Sequence, residues 1–186
     1  MKNLLRETTC LAQIICEEYL EGDGIRGIDA TCGNGHDTLW LAQRCDWVYA
    51  FDLQKKAINT AEKFTSENGC HNVTFINESH EKISEFVKEH VRIIMFNLGY
   101  LPGGDKDITT KKDSTIKALS ASLQLLEVDG ILSVMLYPGH PAGREERDAV
   151  LSWASALDEK IYHCVHIDMI NQRNFPPEIL FITKKK

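Results

Sequence analysis

What most constrains this chain is its alternation of short β-branched or aromatic runs with segments of helical periodicity. Residues 25–30, 47–52, 73–77 and 91–98 read as strands. Between them, 36–44, 54–67 and 79–89 read as helices, the second stopped by Asn68-Gly69. An amphipathic helix comes first, with Leu4, Leu5, Leu11, Ile14, Ile15 and Tyr19 at roughly helical spacing and Gly22-Asp23-Gly24 behind it. A helix over about 111–127 leads through Asp129-Gly130 into a strand over 131–137, and 143–157 is again helical. The last two runs, 161–170 and 178–183, are separated only by a loop holding Phe175-Pro176-Pro177, which favours an antiparallel hairpin over another crossover. Such a pattern predicts an α/β fold: a doubly wound, mostly parallel sheet with helices on both faces and one antiparallel strand at the end. No repeat or linker divides the 186 residues, so one domain is expected over 1–186, with 1–24 a helix packed on its core.

Charge and thiols narrow the class. The net charge of −6 argues against broad nonspecific attraction to phosphate backbones. Every apolar run is shorter than the roughly 18 residues of a membrane span. Lys2, Arg6 and Glu7 stand where an export signal would begin. No membrane partner and a cytoplasmic location are therefore expected. Cys10, Cys16, Cys32, Cys45, Cys70 and Cys164 are scattered without a C-x-x-C pair, as suits reduced, mostly buried thiols. His163 and His166 point to opposite faces of a strand, and no metal is expected.

The sharpest signal is Gly27-Ile28-Asp29-Ala30-Thr31-Cys32-Gly33-Asn34-Gly35-His36-Asp37-Thr38, which runs from a strand into a helix. Gly33 and Gly35 let backbone approach a ligand, and the first N–H groups of the helix face it. Thr38 occupies the position of the third glycine in a dinucleotide fingerprint, so that fingerprint fails. Asp29, at the strand tip, repels a pyrophosphate and attracts an ammonium. Asp52 ends the next strand, 17 residues after Gly35, where a carboxylate accepts both ribose hydroxyls. A ligand with a ribose and an ammonium but no phosphate is indicated, and S-adenosyl-L-methionine meets that description. The bland alternative is that Asp29 and Asp52 only cap turns.

Residues 29–38 resemble the first motif of class I S-adenosylmethionine-dependent methyltransferases, with Thr31 where most members have glycine. Together with Asn97-Leu98-Gly99-Tyr100-Leu101-Pro102-Gly103-Gly104-Asp105 and Tyr137-Pro138-Gly139-His140, they resemble a small bacterial family first labelled rRNA methylases. That family is now associated with the last step of 5-methylaminomethyl-2-thiouridine synthesis at the tRNA wobble position. The resemblance implies a Rossmann-like, seven-stranded class I fold with S-adenosylmethionine as cofactor. It places Asp29, Thr31, Asn34, Gly35 and Asp37 around the methionine end, and Gly33, Thr38 and Asn97 are also expected to bind the cofactor. Asp52 and Gln54 would hold the ribose, and Ser79 and His80 would border adenine. Ser79 also reads as the N-cap of the helix that follows.

Asn97-Leu98-Gly99-Tyr100 resembles the Asn-Pro-Pro-Tyr motif of amino-group methyltransferases, with Leu98-Gly99 in place of the prolines. An Asn oxygen accepts from an N–H and so aims the nitrogen lone pair, while Tyr100 stacks on a base. An alkylammonium acceptor must lose a proton first, and Asp105 and His140 are the two available proton acceptors. Methylation at pyrimidine C5 would need a cysteine nucleophile after the fourth strand, and none stands there.

By the same resemblance the partner is a tRNA anticodon stem-loop and the assembly is a homodimer; from the placement of charge, Lys106, Arg144 and Arg173 form a small basic rim to orient the RNA, with Tyr100 stacking on a base. Residues 171–186 carry a local charge of +3. Alternatives are a methyltransferase for a small-molecule amine or hydroxyl, one acting on rRNA, or a module that only senses S-adenosylmethionine.

Overall fold

The computed structural model describes residues 7–99, 110 and 112–186. Helix α1 (Thr8–Glu17) precedes β1 (Arg26–Asp29), and the chain then runs through α2 (His36–Ala42), β2 (Trp47–Phe51), α3 (Lys55–Glu67), β3 (Val73–Ile76), α4 (Ile83–Phe86) and β4 (Val91–Asn97). The second half supplies α5 (Lys112–Leu125), β5 (Leu126–Leu136), α6 (Pro141–Ser155), β6 (Tyr162–Ile167) and β7 (Glu178–Lys184). One seven-stranded sheet has the order β3-β2-β1-β4-β5-β7-β6. Strand β7 is antiparallel to both β5 and β6, and the other pairings are parallel. The expected closing hairpin is present, and β7 inserts between β5 and β6.

Period-two alternation sends neighbouring side chains to opposite faces of the sheet. Ile28, Phe51, Ile94, Phe96, Leu132, Val134 and Leu180 pack with Ile83, Leu119 and Val150 on one side. Ile93, Met95, Met135 and Phe181 meet Ala12, Cys16 and Leu41 on the other, which is how α1 joins the core. Ala50 is covered by Ile58 and Ala61 of α3. Burial pushes the thiols of Cys16 and Cys45 up to about 12 and raises that of Cys32 as well, so these three serve the core as small apolar groups and not as nucleophiles.

Two elements depart from expectation. In place of one helix over 79–89 there is a 3₁₀ turn, His80–Lys82, and the single turn of α4. Val87, fully buried, takes an extended conformation (φ −105, ψ 125) and leads the chain into β4. Strand β5 also begins at Leu126, before the Asp129-Gly130 signal, because that signal is a bulge within the strand. Asp129 is left-handed (φ 61), and the pairing with β4 jumps from Val91↔Leu126 to Ile93↔Ile131. A Cβ on Gly130 would lie 2.9 Å from the Arg92 carbonyl oxygen, so only glycine passes there.

The sheet order reverses between β1 and β4. Ligands of open α/β sheets bind beyond the carboxyl ends of the strands at such a switch point, and Asp29, Thr31, Asp37, Asp52 and Asn97 lie at this end of β1, β2 and β4.

Candidate active site

The turn after β1 is built backbone first. The Cys32 N–H donates to the Phe51 carbonyl (2.8 Å), which ties the turn to β2. Gly33 (φ 50) and Gly35 (φ 88) are both left-handed. Gly35 also faces α3, where an added Cβ would lie 2.8 Å from Ala61 Cα. Gly35→Ala is therefore expected to cost about 2–4 kcal/mol in a urea titration, from strain and a backbone clash together. A loss under about 0.5 kcal/mol would mean that the turn adapts.

Asp52 holds the same turn from the side. Its Oδ2 accepts from the Gly33 N–H (3.0 Å) and its Oδ1 from the Gln54 N–H (2.8 Å). Each carboxylate oxygen has a second lone pair for a ligand hydroxyl, and Gln54 is the N-cap residue of α3. Burial raises the Asp52 carboxyl, against these two backbone donors.

Asp29 is completely buried. Its Oδ1 accepts from the Thr31 N–H (3.2 Å) and its Oδ2 from the Thr38 hydroxyl (2.6 Å). Burial, reinforced by the Asp37 charge, pushes its carboxyl up to about 7. Both of its oxygens thus serve the loop, and its charge reaches the pocket as a field more than as an open ligand. Among the described residues, none of the ion pairs includes Asp29, Asp37 or Asp52. Such an acidic strand-tip cluster suits a cationic ligand.

Thr31 and Asn97 join β1 to β4. The Asn97 N–H donates to Thr31 Oγ1 (2.6 Å), which is what a hydroxyl at the motif's usual glycine position does here. The Asn97 amide Nδ2 donates to Asp37 Oδ2, and Gln13 Nε2 of α1 donates to Asp37 Oδ1 (2.8 Å). Both Asp37 oxygens accept here, so the contact sets the Asn97 NH2 toward Asp37 and the Oδ1 on the other side of the amide. Gly99 follows at φ 142, and a Cβ on it would meet the Tyr137 ring at 3.8 Å. Burial and the Asp37 charge raise the Tyr137 phenol, which places that ring in the field of the same cluster.

The other expected residues divide. Asn34 lies between the two glycines, partly exposed. Ser79 is a cap, its Oγ accepting from the Glu81 N–H (3.3 Å). His80 is buried edge-on to Phe96 (5.7 Å between centroids) and bonds the Ala30 carbonyl; burial lowers its imidazole and favours the neutral ring. Its Nε2 is buried without a partner among the described residues, a polar atom left for a ligand such as adenine. His140, offered as a proton acceptor, is the N-cap of α6: its Nδ1 accepts from the Gly143 N–H (3.1 Å), so that lone pair is not available to an amine. Arg144 lies exposed with its guanidinium 5.5 Å from the Phe175 ring, and Arg173 is exposed on the same loop as Phe175. Tyr100, Asp105 and Lys106 lie outside the described residues. Sequence reasoning gave no role to Gln13, Thr110, Tyr137 or Glu146. Of these, only Tyr137 carried a signal, as the first residue of Tyr137-Pro138-Gly139-His140.

An unpartnered buried imidazole nitrogen, a glycine turn with no room for a side chain at position 35 and an acidic cluster without ion-pair partners among the described residues together fit S-adenosylmethionine. Among the described residues no group of three His, Cys, Asp or Glu side chains is placed to hold a metal ion.

Comparison with known proteins gives the family of the chain. Residues 48–183 match the family described as "Putative rRNA methylase". The chain is 37% identical over 198 aligned positions to a chloroplastic tRNA (mnm(5)s(2)U34)-methyltransferase of Arabidopsis thaliana, covering 97% of this chain and 70% of that protein. A crystal structure described as a "putative rRNA-methylase" from Clostridium thermocellum superposes with a TM-score of 0.92 at 36% identity, covering 99% of this chain and 98% of that one. A "putative methyltransferase" of Streptococcus mutans, solved in complex with SAH, superposes at 0.88 with 32% identity over 99% of both chains.

Proposed function

This chain belongs to the "Putative rRNA methylase" family, and from that membership we propose that it methylates an amine on tRNA, converting 5-aminomethyl-2-thiouridine at the wobble position to 5-methylaminomethyl-2-thiouridine. It is a methyltransferase, and its methyl donor is S-adenosylmethionine. The substrate follows the Arabidopsis relative, to which this chain is similar over nearly its whole length. The single observation that carries the chemistry is that Asn97 Nδ2 donates to Asp37 Oδ2, which leaves Oδ1 as the amide atom to meet an incoming N–H. An amide oxygen at the tip of β4 accepts an N–H of the incoming amine and aims the nitrogen lone pair at the reacting carbon.

When bound, the cofactor supplies an electrophilic methyl group that passes in line to nitrogen, the C–S bond breaking as the N–C bond forms. The protein's part is to hold the reactants and let a proton go. Asp52 and Gln54 bind the ribose, the turn at 33–35 admits the methionine end, and the field of Asp29 and Asp37 favours its positive charge. The amine loses its proton by desolvation beside a cationic centre, which lowers an alkylammonium pKa without a dedicated strong base. Raised, buried thiols at Cys16, Cys32 and Cys45 supply no nucleophile for attack on a pyrimidine ring.

The same reading takes the anticodon stem-loop as partner, with Arg144 and Arg173 beside the exposed Phe175 as contacts for phosphate and an unstacked base. It takes the assembly as a homodimer and the compartment as the cytoplasm. No helix among the described residues is long and apolar enough to cross a membrane.

Mass spectrometry of tRNA nucleosides from cells lacking the protein tests the proposal: aminomethyl-thiouridine accumulates and its methylated form is absent. Unchanged nucleosides would overturn it. For the cofactor half, Asp52→Ala is expected to weaken S-adenosylmethionine binding about 100-fold by calorimetry, since two hydrogen bonds to a charged group are lost. A change within roughly threefold would remove Asp52 from the ribose site.

A further inference from the structure

Glu146 on α6 is 4% exposed, a carboxylate inside the protein. No Lys or Arg is paired with it among the described residues. Two hydroxyls satisfy it instead: Thr110 Oγ1 donates to its Oε2 (2.7 Å) and Thr115 Oγ1 to its Oε1 (2.6 Å). Both carboxyl oxygens are thereby occupied inside the protein. Burying so polar a group is costly, and an apolar side chain of like volume would usually serve stability better. Its placement suggests what it secures. Thr110 Oγ1 also accepts from the Gly99 N–H (2.9 Å), and the Thr110 N–H donates to the Gly99 carbonyl (3.2 Å). Gly99 and Thr110 bracket the segment 100–109 and are thereby held to one another. Gly99 lies two residues beyond Asn97 and against the Tyr137 ring.

We propose that Glu146, acting through Thr110, is a positioning residue for the methyl acceptor: it locks the hydroxyl of Thr110 onto the Gly99 N–H and so fixes the tip of β4 from which Asn97 meets the amine. The donor side of the pocket, built on β1 and β2, has no part in this chain of hydrogen bonds. Acceptor steps should therefore depend on the lock and donor binding should not. The proposal rests on the methyltransferase reading above, and its test carries a readout independent of turnover.

Thr110→Val removes the hydroxyl at nearly constant volume, Thr110→Ser restores it, and Val150→Ala, a fully buried site on the same helix, controls for general destabilisation. Two measurements are made on each: steady-state kinetics with tRNA and S-adenosylmethionine, and amide hydrogen exchange at Gly99. Thr110→Val is expected to lower kcat/KM for tRNA about 10- to 100-fold, with KM for S-adenosylmethionine within roughly twofold, and to speed exchange at Gly99. Thr110→Ser should return both toward wild type, and Val150→Ala should lower Tm while leaving both largely intact. Unchanged exchange at Gly99 in Thr110→Val overturns the proposal, as does faster exchange with unaltered tRNA kinetics. Wild-type protein that transfers no methyl to tRNA would instead overturn the substrate assignment, and the Gly99 exchange rates would still judge the lock.

Discussion

Asn97→Ala is expected to lower kcat by about 10²–10³-fold while the affinity for S-adenosylmethionine changes by less than roughly threefold. The split follows from how the residue is held. Its backbone N–H donates to Thr31 Oγ1 whatever the side chain, so alanine leaves the β1–β4 junction tied, and Asp37 keeps Gln13 as a donor. What disappears is the Nδ2 bond to Asp37 together with the Oδ1 it orients, and it is the Oδ1 that acts on the incoming amine. An interaction made chiefly in the transition state lowers kcat when removed, whereas one made equally in the ground state raises KM. Single-turnover rates with saturating cofactor, beside calorimetric binding, check this. Equal and small effects on both would reduce Asn97 to a strand-end residue and remove the main support for amine methylation.

Asp29→Asn is expected to do two opposite things: to stabilise the ligand-free protein and to weaken its hold on the cofactor. The Asp29 carboxyl is fully buried with its pKa near 7, far above the ordinary range, because burial and the Asp37 charge oppose ionisation. Below about pH 4 folded and unfolded chains are both protonated at this site, and it adds no pH dependence. Between about pH 4 and 7 the unfolded chain ionises while the folded one keeps its proton, so stability falls as pH rises, by up to about 4 kcal/mol at and above neutrality. Asparagine removes that penalty and keeps the contacts, since its oxygen still accepts from the Thr31 N–H and the Thr38 hydroxyl can turn to accept from the amide. The apo Tm should therefore rise by about 5–10 °C at pH 7.5 and much less at pH 5. Binding should show the converse. A cationic ligand favours the ionised carboxylate, so wild-type affinity should strengthen from pH 5.5 to 7.5 as a proton is released, and the variant should be weaker and flat across that range. Asp29→Asn with a lower Tm at both pH values would show the carboxylate to be a structural requirement of the turn.

Much of this site was legible from short-range patterns. Gly33 and Gly35 announce a turn that only glycine makes, Asp29 and Asp52 end consecutive strands, and Asn97 closes a third, each marked by neighbours within a few positions. Ser79 was readable both as a cap and as a pocket residue, and its bond to the Glu81 N–H shows the cap. Where periodicity misled, a local signal had a second meaning. Asp129-Gly130 reads as the turn before a strand but is a bulge within β5, because Gly130 must pass close to β4, a neighbour the motif itself does not name.

The alternation of runs, the glycine turn and the acidic strand tips were set by the amino-acid order alone, since strand periodicity, φ preference and turn chemistry operate between residues a few places apart. Which groups face one another was decided only by folding. Gln13 and Asn97 reach Asp37 across 24 and 60 residues, Asn97 reaches Thr31 across 66, and Thr110 reaches Glu146 across 36. The physical reason is the sheet order: β1 and β4 become neighbours through crossover helices, and the partner of a buried polar atom is whichever donor or acceptor that crossing delivers.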